Sequence, residues 1–163
     1  MVFRGMRRKN QALPQQEIKA ILYKGTSGAL ALMGDHEYPY AVPISYVYDG
    51  EKIYFHSAKT GHKLDAIQKY KKASFCVIDK DWVVPEEYTT YFRSAIVFGQ
   101  IQIMKDETEK RRAIEKLADK YAPEHAVADR DAAICREWNS LCMLEMTIDH
   151  VTGKSAIELV QEK

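Results

Sequence analysis

The stretch YPYAVPISYVY at residues 38–48 decides the fold, because its aromatic and β-branched residues predict an extended strand. Asp49 and Gly50 follow, and since glycine takes positive φ without steric cost, this pair predicts a hairpin turn. The return run KIYFHSAKTGHK at residues 52–63 begins as a second strand. A helical spacing of apolar residues then predicts a short helix over residues 62–70. The sequence therefore predicts a β-hairpin that leads directly into a helix.

Hydroxyl, basic and glycine residues are concentrated where the second strand gives way to the helix. The hydroxyl and basic members are His56, Ser57, Lys59, Thr60, His62 and Lys63. A helix that begins here presents unpaired backbone N–H groups and the positive end of its dipole. Such donors, together with cationic and hydroxyl side chains, satisfy a phosphate dianion. The cluster predicts an anion-binding cradle, and the alternative is a solvated strand-to-helix turn.

The rest of the chain supplies further strands and helices around this hairpin. Apolar and alternating runs predict strands at residues 29–33, 73–78, 88–104 and 142–148. Capping and breaking residues predict helices between Pro14 and Gly25, between Asp106 and Pro123, and over residues 129–138. The polar segment 79–87 is predicted to be a loop, and Gly99 within a long strand predicts a bend, a bulge or a close backbone approach. About six antiparallel strands with outer helices predict an α+β fold of the compact barrel type.

Length and composition narrow the class of protein. The chain has 163 residues and a formal net charge of +1, which fits a single domain and gives no sign of nucleic-acid binding. No apolar run approaches the ~20 residues that cross a bilayer, so no membrane association is expected. Residues 1–12 form a basic N-terminal arm in this interpretation, without the apolar segment of a secretory signal. The arm is either a solvated tail or part of a contact with a subunit or an anion.

The positions of the cysteine and histidine residues indicate whether disulfide bonds or a metal site are expected. The three cysteines are odd in number and form no Cys-x-x-Cys pair, which predicts free thiols in a cytoplasmic protein. No metal site is expected, because the histidines outside the cluster are widely scattered. These are His36, His125 and His150.

Two further groups of residues are candidates for ligand contact. Val42, Pro43 and Ile44 lie centrally in the first strand, and Pro43 cannot donate to a β-ladder, so backbone groups beside it are open to a planar ring. The alternative is that this aromatic strand only fills the rim of a barrel. Arg93 and Ser94 complete an anion site if their strand neighbours the hairpin, and otherwise they cap the strand.

The quoted stretches resemble the pyridoxamine 5′-phosphate oxidase-like flavoproteins. They are similar in particular to the branch of 5-nitroimidazole reductase, or nitroimidazole-resistance, proteins. Residues 6–9, 91–99 and 152–154 also resemble that branch. The resemblance extends over nearly the whole chain, and the separated motifs occur in the same order.

This resemblance implies an antiparallel six-stranded split β-barrel with flanking helices, a homodimer, and FMN held in the cleft between the two subunits. It also implies which residues contact FMN: Val42, Pro43 and Ile44 along the ring, His56, Ser57, Ala58, His62 and Lys63 at the phosphate and ribityl end, and Ser94 on the phosphate side. A catalytic histidine at a strand end is implied as well. His56 matches that position best, and His62 is the alternative.

The function implied by the resemblance is an FMN-dependent oxidoreductase that reduces small molecules such as nitroimidazoles, with NADH or NADPH as electron donor. Reduction of the nitro group would inactivate such a drug, which links the family to antibiotic resistance. The alternative is a module that binds flavin or haem without turnover.

Overall fold

The computed structural model describes residues 2–161 and has an α+β architecture. Its strands are β1 (Ser27–Met33), β2 (Pro39–Ser45), β3 (Val47–Tyr48), β4 (Lys52–Ala58), β5 (Lys72–Val84), β6 (Thr89–Ile103) and β7 (Leu141–Ser155). Its helices are α1 (Gln15–Lys24), α2 (His62–Lys69), α3 (Glu107–Tyr121), α4 (Val127–Glu137) and α5 (Glu158–Gln161). Within the described residues the strands form an antiparallel sheet in the order β2-β1-β5-β6-β7-β4-β3. The predicted α+β class and antiparallel sheet are confirmed, and the predicted six strands are corrected to seven.

The extra strand arises because residues 38–48 do not form one continuous strand. β2 pairs with β1, whereas β3 pairs with β4 at the opposite edge of the sheet. Tyr46 lies between them and is fully buried. Its backbone N–H donates to the hydroxyl of Tyr121 at 3.1 Å, and its own hydroxyl donates to the carbonyl of Leu22 at 2.8 Å. These bonds to α3 and α1 replace the ladder bonds that a continuous strand would make.

The predicted loop at residues 79–87 is also wrong, because β5 continues to Val84 and only a short 3-10 turn over Pro85–Glu87 separates it from β6. Arg93 on β6 binds Asp79 on β5 at 2.6 Å, and the rings of Trp82 and Tyr91 meet edge to face across the two strands. Cross-strand contacts of this kind stabilise a paired hairpin of polar composition.

The core lies between the sheet and α1, with Tyr46, Phe55 and Phe75 at its centre. Phe75 meets the other two rings edge to face, at centroid distances of 4.8 and 5.1 Å. A second apolar cluster lies under α3, where Leu117 packs with Tyr54 and Met143. β4 is thus packed on both faces over residues 53–55, and its more exposed end leads into the predicted cradle.

Gly99 lies at a β-bulge, as its position in the sequence predicted. The register between β6 and β7 shifts between Phe98 and Gly99, since Phe98 pairs with His150 and Gly99 pairs with Ile148. A Cβ atom at Gly99 would overlap the backbone carbonyl oxygen of Thr147. Only glycine allows the two backbones to lie this close.

The first residues of the chain contact the sheet. Phe3 stacks on His150 with the ring centroids 4.5 Å apart, and Ala12 forms a β-bridge with Lys154. The described part of the basic arm is therefore partly anchored on β7. No helix among residues 2–161 is long and apolar enough to span a membrane.

The hairpin turn between β3 and β4 is confirmed, and Gly50 in it has φ of +104°. Asp49 accepts hydrogen bonds from the backbone N–H groups of Lys52 and Glu51 and from Lys116 of α3, the last at 2.5 Å. Partial burial raises the pKa of the Asp49 carboxyl, but these donors outweigh burial and lower it to about 2. Asp49 therefore joins the turn to α3 as an ionised carboxylate.

We expect Asp49→Asn to lower the free energy of unfolding by roughly 2 kcal/mol at neutral pH, because the charge-assisted bonds are lost. A lowered folded-state pKa stabilises the protein above the unfolded value of 3.8, and this stabilisation disappears as pH falls toward about 2. Urea unfolding between pH 2 and pH 7 should therefore show a smaller pH dependence in the variant. Glu51→Gln, an exposed neighbour in the same turn, is the control. Equal stability losses in the two variants would contradict this role.

Candidate functional site

The predicted cradle is a concave site at the end of β4. β4 ends at Ala58, the chain turns through Gly61, and α2 begins at His62. A cavity of about 370 Å³ opens here and is lined by Tyr40, His56, Ser57, Ala58, Thr60, Gly61, His62 and Lys63. Gly61 has φ of +129°, and a Cβ atom placed on it would meet nothing within 4 Å. The turn therefore leaves open space in front of the helix.

Backbone donors converge on this space. The carbonyl of Gly61 accepts the N–H groups of Leu64 and Asp65, so the first helical bonds start at the turn. The N–H groups of His62 and Lys63 come before these bonds and have no acceptor within the helix. They carry the positive end of the helix dipole. This part of the site attracts an anion without any side chain.

Lys63 adds a cation that lacks a partner. Its side chain is half-buried, and within residues 2–161 it forms no ion pair with a carboxylate. Burial lowers the pKa of the Lys63 ammonium group, because partial loss of water disfavours its charge. A bound phosphate dianion would compensate for this loss. A monoester phosphate therefore fits the donors of the cradle.

His62 is held in place by two neighbours that the sequence interpretation did not connect with the cradle. Its ring stacks on Tyr40 of β2 with the centroids 4.2 Å apart, and its Nε2 lies 3.6 Å from the Asp35 carboxylate. Asp35 is also bound by Lys69 at 2.8 Å. Nothing in the spacing of the chain reveals these contacts, because they join the turn before β2 to α2.

His56 differs from the other residues of the cluster because it borders two cavities. It lines the cradle, and it also lines a cavity of about 290 Å³ between α3 and α4. His56 is exposed at this position. The pKa of His56 is lowered, first by the protein atoms that displace water and then by the charge of Lys63. The neutral imidazole, with one donor and one acceptor nitrogen, is thus favoured.

Val42, Pro43 and Ile44 lie on β2, which is an edge strand of the sheet. Val42 and Ile44 face the core, and Pro43 faces outward. β2 also approaches β4, which brings this edge near the cradle. The contact of these residues with a flavin ring stays a prediction.

Ser94 does not join the cradle within one chain. It pairs with Lys154 on β7, whereas His56 pairs with Met143 on the same strand. Eleven residues separate these partners, which is roughly 36 Å along an extended strand. Arg93, beside it, already binds Asp79. Ser94 is therefore absent from the cavity that His56 and Lys63 line.

The described residues show no group of three or more His, Cys, Asp or Glu side chains placed to hold a metal ion. The donors at the cradle are those for an anion, and the Asp35 carboxylate is bound by Lys69 and lies 3.6 Å from His62.

Comparison with known proteins shows the family and the fold of the chain. The sequence profile of the family described as pyridoxamine 5′-phosphate oxidase matches residues 14–155. No curated protein matches the chain.

Solved structures with a similar fold come from several bacteria. A protein assigned to 5-nitroimidazole antibiotic resistance from Bacteroides thetaiotaomicron is 20% identical with a TM-score of 0.73, over 88% of this chain and 86% of that one. The FAD and heme binding protein from Mycobacterium smegmatis is 22% identical with a TM-score of 0.74, over 91% and 74%. The flavocytochrome Anf3 from Azotobacter vinelandii is 17% identical with a TM-score of 0.74, over 93% and 72%.

At these identities the structures establish a shared fold, and the profile establishes the family. The match covers most of the chain, including the whole cradle, which confirms the resemblance seen in the sequence. The chain belongs to the pyridoxamine 5′-phosphate oxidase family and has its split-barrel fold.

Proposed function

We propose that residues 1–163 form a single FMN-binding domain and that this flavoprotein is an oxidoreductase acting on small molecules, with nitroimidazoles as a candidate substrate class. The observation that carries the proposal is the half-buried Lys63 at the start of α2, which pairs with no carboxylate among the described residues. This lysine and the first N–H groups of α2 suit a terminal phosphate dianion, as in FMN. The structural neighbour assigned to nitroimidazole resistance supports the substrate class.

The residues of the chain divide into binding and proton-handling groups in this proposal. Lys63, His62 and Ser57 hold the phosphate, while the edge of β2 lies along the ring. His56 accepts or donates a proton at the ring nitrogen that faces the substrate, since its neutral form is favoured. Bound FMN supplies the reversible electron transfer, and NADH or NADPH is proposed as the electron source.

We propose a homodimer with FMN in the cleft between subunits. Two observations support it: Ser94 does not line the cradle of its own chain, and the β5–β6 hairpin exposes large apolar side chains. These include Ile78, Trp82 and Val83, which are 65%, 61% and 61% exposed. Apolar surface of this kind is typical of a subunit contact. All three cysteines are free thiols, which supports a cytoplasmic location.

The first experiment is an absorbance spectrum of the purified protein, followed by heat release and chromatography of the cofactor. We expect a flavin band near ~450 nm and FMN in about a one-to-one ratio to the chain. Anaerobic mixing with NADH or NADPH should then bleach that band, and a nitroimidazole should restore it. Sedimentation of the flavin-loaded protein should give a dimer. A protein that carries no flavin and cannot be reconstituted with FMN would contradict the proposal.

A second candidate is a module that binds FAD or haem without turnover. The fold shared with the FAD and heme binding protein from Mycobacterium smegmatis favours it. The same spectrum separates the two, because haem absorbs intensely near ~400 nm. A flavin that is bound but not reduced by either nicotinamide nucleotide would favour the passive module.

A further inference from the structure

A second cavity lies between α3 and α4, next to the cradle. Its volume is about 290 Å³, and its walls come from both helices and from the ends of β4 and β7. Ile134 and Leu141 are buried apolar lining residues, and the small side chains of Ala118, Ala122 and Ala133 leave room beside them. Such a surface favours the flat apolar face of a ligand over water.

The charged residues that line this cavity determine which ligand charge it favours. The guanidinium of Arg130 is neutralised by Asp119 at 2.7 Å and by Asp131 at 3.4 Å. Asp129 lines the cavity and forms no ion pair with any side chain among residues 2–161. Glu137 also lines it and is bound by Arg136 at 3.2 Å. His56 and His125 also line the cavity. Among the described residues, Asp129 is left as a lining carboxylate without a cationic partner, so an anion is disfavoured.

The volume limits the size of the ligand. A cavity of about 150 Å³ is sufficient for benzene, and pockets for drug-sized ligands begin at about 300 Å³. The space between α3 and α4 therefore fits a molecule of one or two rings. A nicotinamide nucleotide is both too large and too negatively charged for it.

We propose that the cavity between α3 and α4 binds a small, uncharged or cationic heteroaromatic molecule, and that His56 is the wall which this site shares with the anion cradle. A molecule in the helical cavity and a phosphate ester in the cradle would border the same imidazole ring. If this molecule is also the electron acceptor, that role rests on the proposed function, whereas its binding in the cavity does not.

The test measures binding of benzimidazole, which is uncharged at mildly alkaline pH, and of benzoate, an anion of similar size. Calorimetric titrations use the full chain, once without flavin and once after loading with FMN. We expect benzimidazole to bind in both forms and benzoate to bind at least about tenfold more weakly. Equal binding of the two probes, or no binding of benzimidazole, would overturn the proposal.

Two neighbouring alanines of α4 give a matched pair of variants. Ala133 lines the cavity, and Ala132 is exposed on the same helix without lining it. We expect Ala133→Phe to weaken benzimidazole binding at least about tenfold and Ala132→Phe to leave it unchanged. Thermal unfolding of both variants reports on the fold, and Ala118→Leu fills the same space from α3 if Ala133→Phe does not fold. If Ala133→Phe or Ala118→Leu bound benzimidazole as tightly as the wild type, the probe would bind outside this cavity and the proposal would be wrong.

The flavin-free titration separates the two proposals. Failure to load FMN, with benzimidazole still bound, would contradict the proposed function and leave the cavity assignment intact. No binding of benzimidazole to a protein that carries FMN would contradict the cavity assignment and leave the proposed function intact.

Discussion

Gly99→Ala is expected to lower the free energy of unfolding by more than about 3 kcal/mol, or to prevent folding. The added methyl group would overlap the carbonyl oxygen of Thr147, which belongs to the backbone of β7 and cannot rotate away. Relief would require β6 and β7 to separate at the bulge, at the cost of ladder hydrogen bonds. Urea denaturation followed by circular dichroism measures the change.

The control for this substitution is Gly5→Ala, because a Cβ atom at Gly5 meets nothing within 4 Å. We expect it to change the unfolding free energy by less than about 0.5 kcal/mol. A denaturation midpoint for Gly99→Ala equal to that of Gly5→Ala would show that the two strands tolerate a side chain at the bulge.

The second large effect concerns Lys63. Replacement by methionine keeps the apolar stem and removes the charge, and we expect the affinity for FMN to fall about ten- to hundredfold, since a charge-assisted hydrogen bond contributes ~1.5–3 kcal/mol. Quenching of flavin fluorescence during titration of the apoprotein measures the affinity. The substitution would break no ion pair within the described residues, because no carboxylate there pairs with Lys63, so the loss would be specific to the phosphate.

Lys19→Met removes an exposed lysine of α1 and is the charge-matched control. We expect it to leave FMN affinity within about twofold of the wild type. If both variants bound FMN as tightly as the wild type, Lys63 would have no part in holding the phosphate. If both lost affinity equally, a general effect of net charge would explain the result.

Local signals in the sequence predicted much of the fold. Pro14 and Gly25 flank α1, and Asp106 caps α3 by accepting the N–H groups of Thr108 and Glu109, as the spacing indicated. The turn at Asp49 and Gly50 forms as predicted, because its preference resides in two adjacent residues. Each of these features depends on neighbours within a few positions.

Features that depend on distant residues were not predictable in this way. The break at Tyr46 depends on Leu22 and Tyr121, which are 24 and 75 positions away. The extension of β5 depends on pairing with β6, since its own polar composition is typical of a loop. Tertiary contacts outweighed local preference in both places.

The candidate site was likewise predictable only where its residues are close together in the sequence. The residues from His56 to Lys63 are continuous in sequence, so their cluster was visible before the structure. The stack of Tyr40 on His62 and the position of His56 in the wall of the cavity between α3 and α4 join segments that are far apart in the chain. Only the packed fold reveals them.

The edge position of β2 has a consequence for the behaviour of the protein at high concentration. An unpaired edge strand is a template on which another chain can add a strand and begin to aggregate. Pro39 and Pro43 both lie on β2 and lack the N–H group that such an intruding strand would need. The same two residues thus protect the sheet against fibril growth, and replacing both with valine would expose an edge that natural proteins keep blocked.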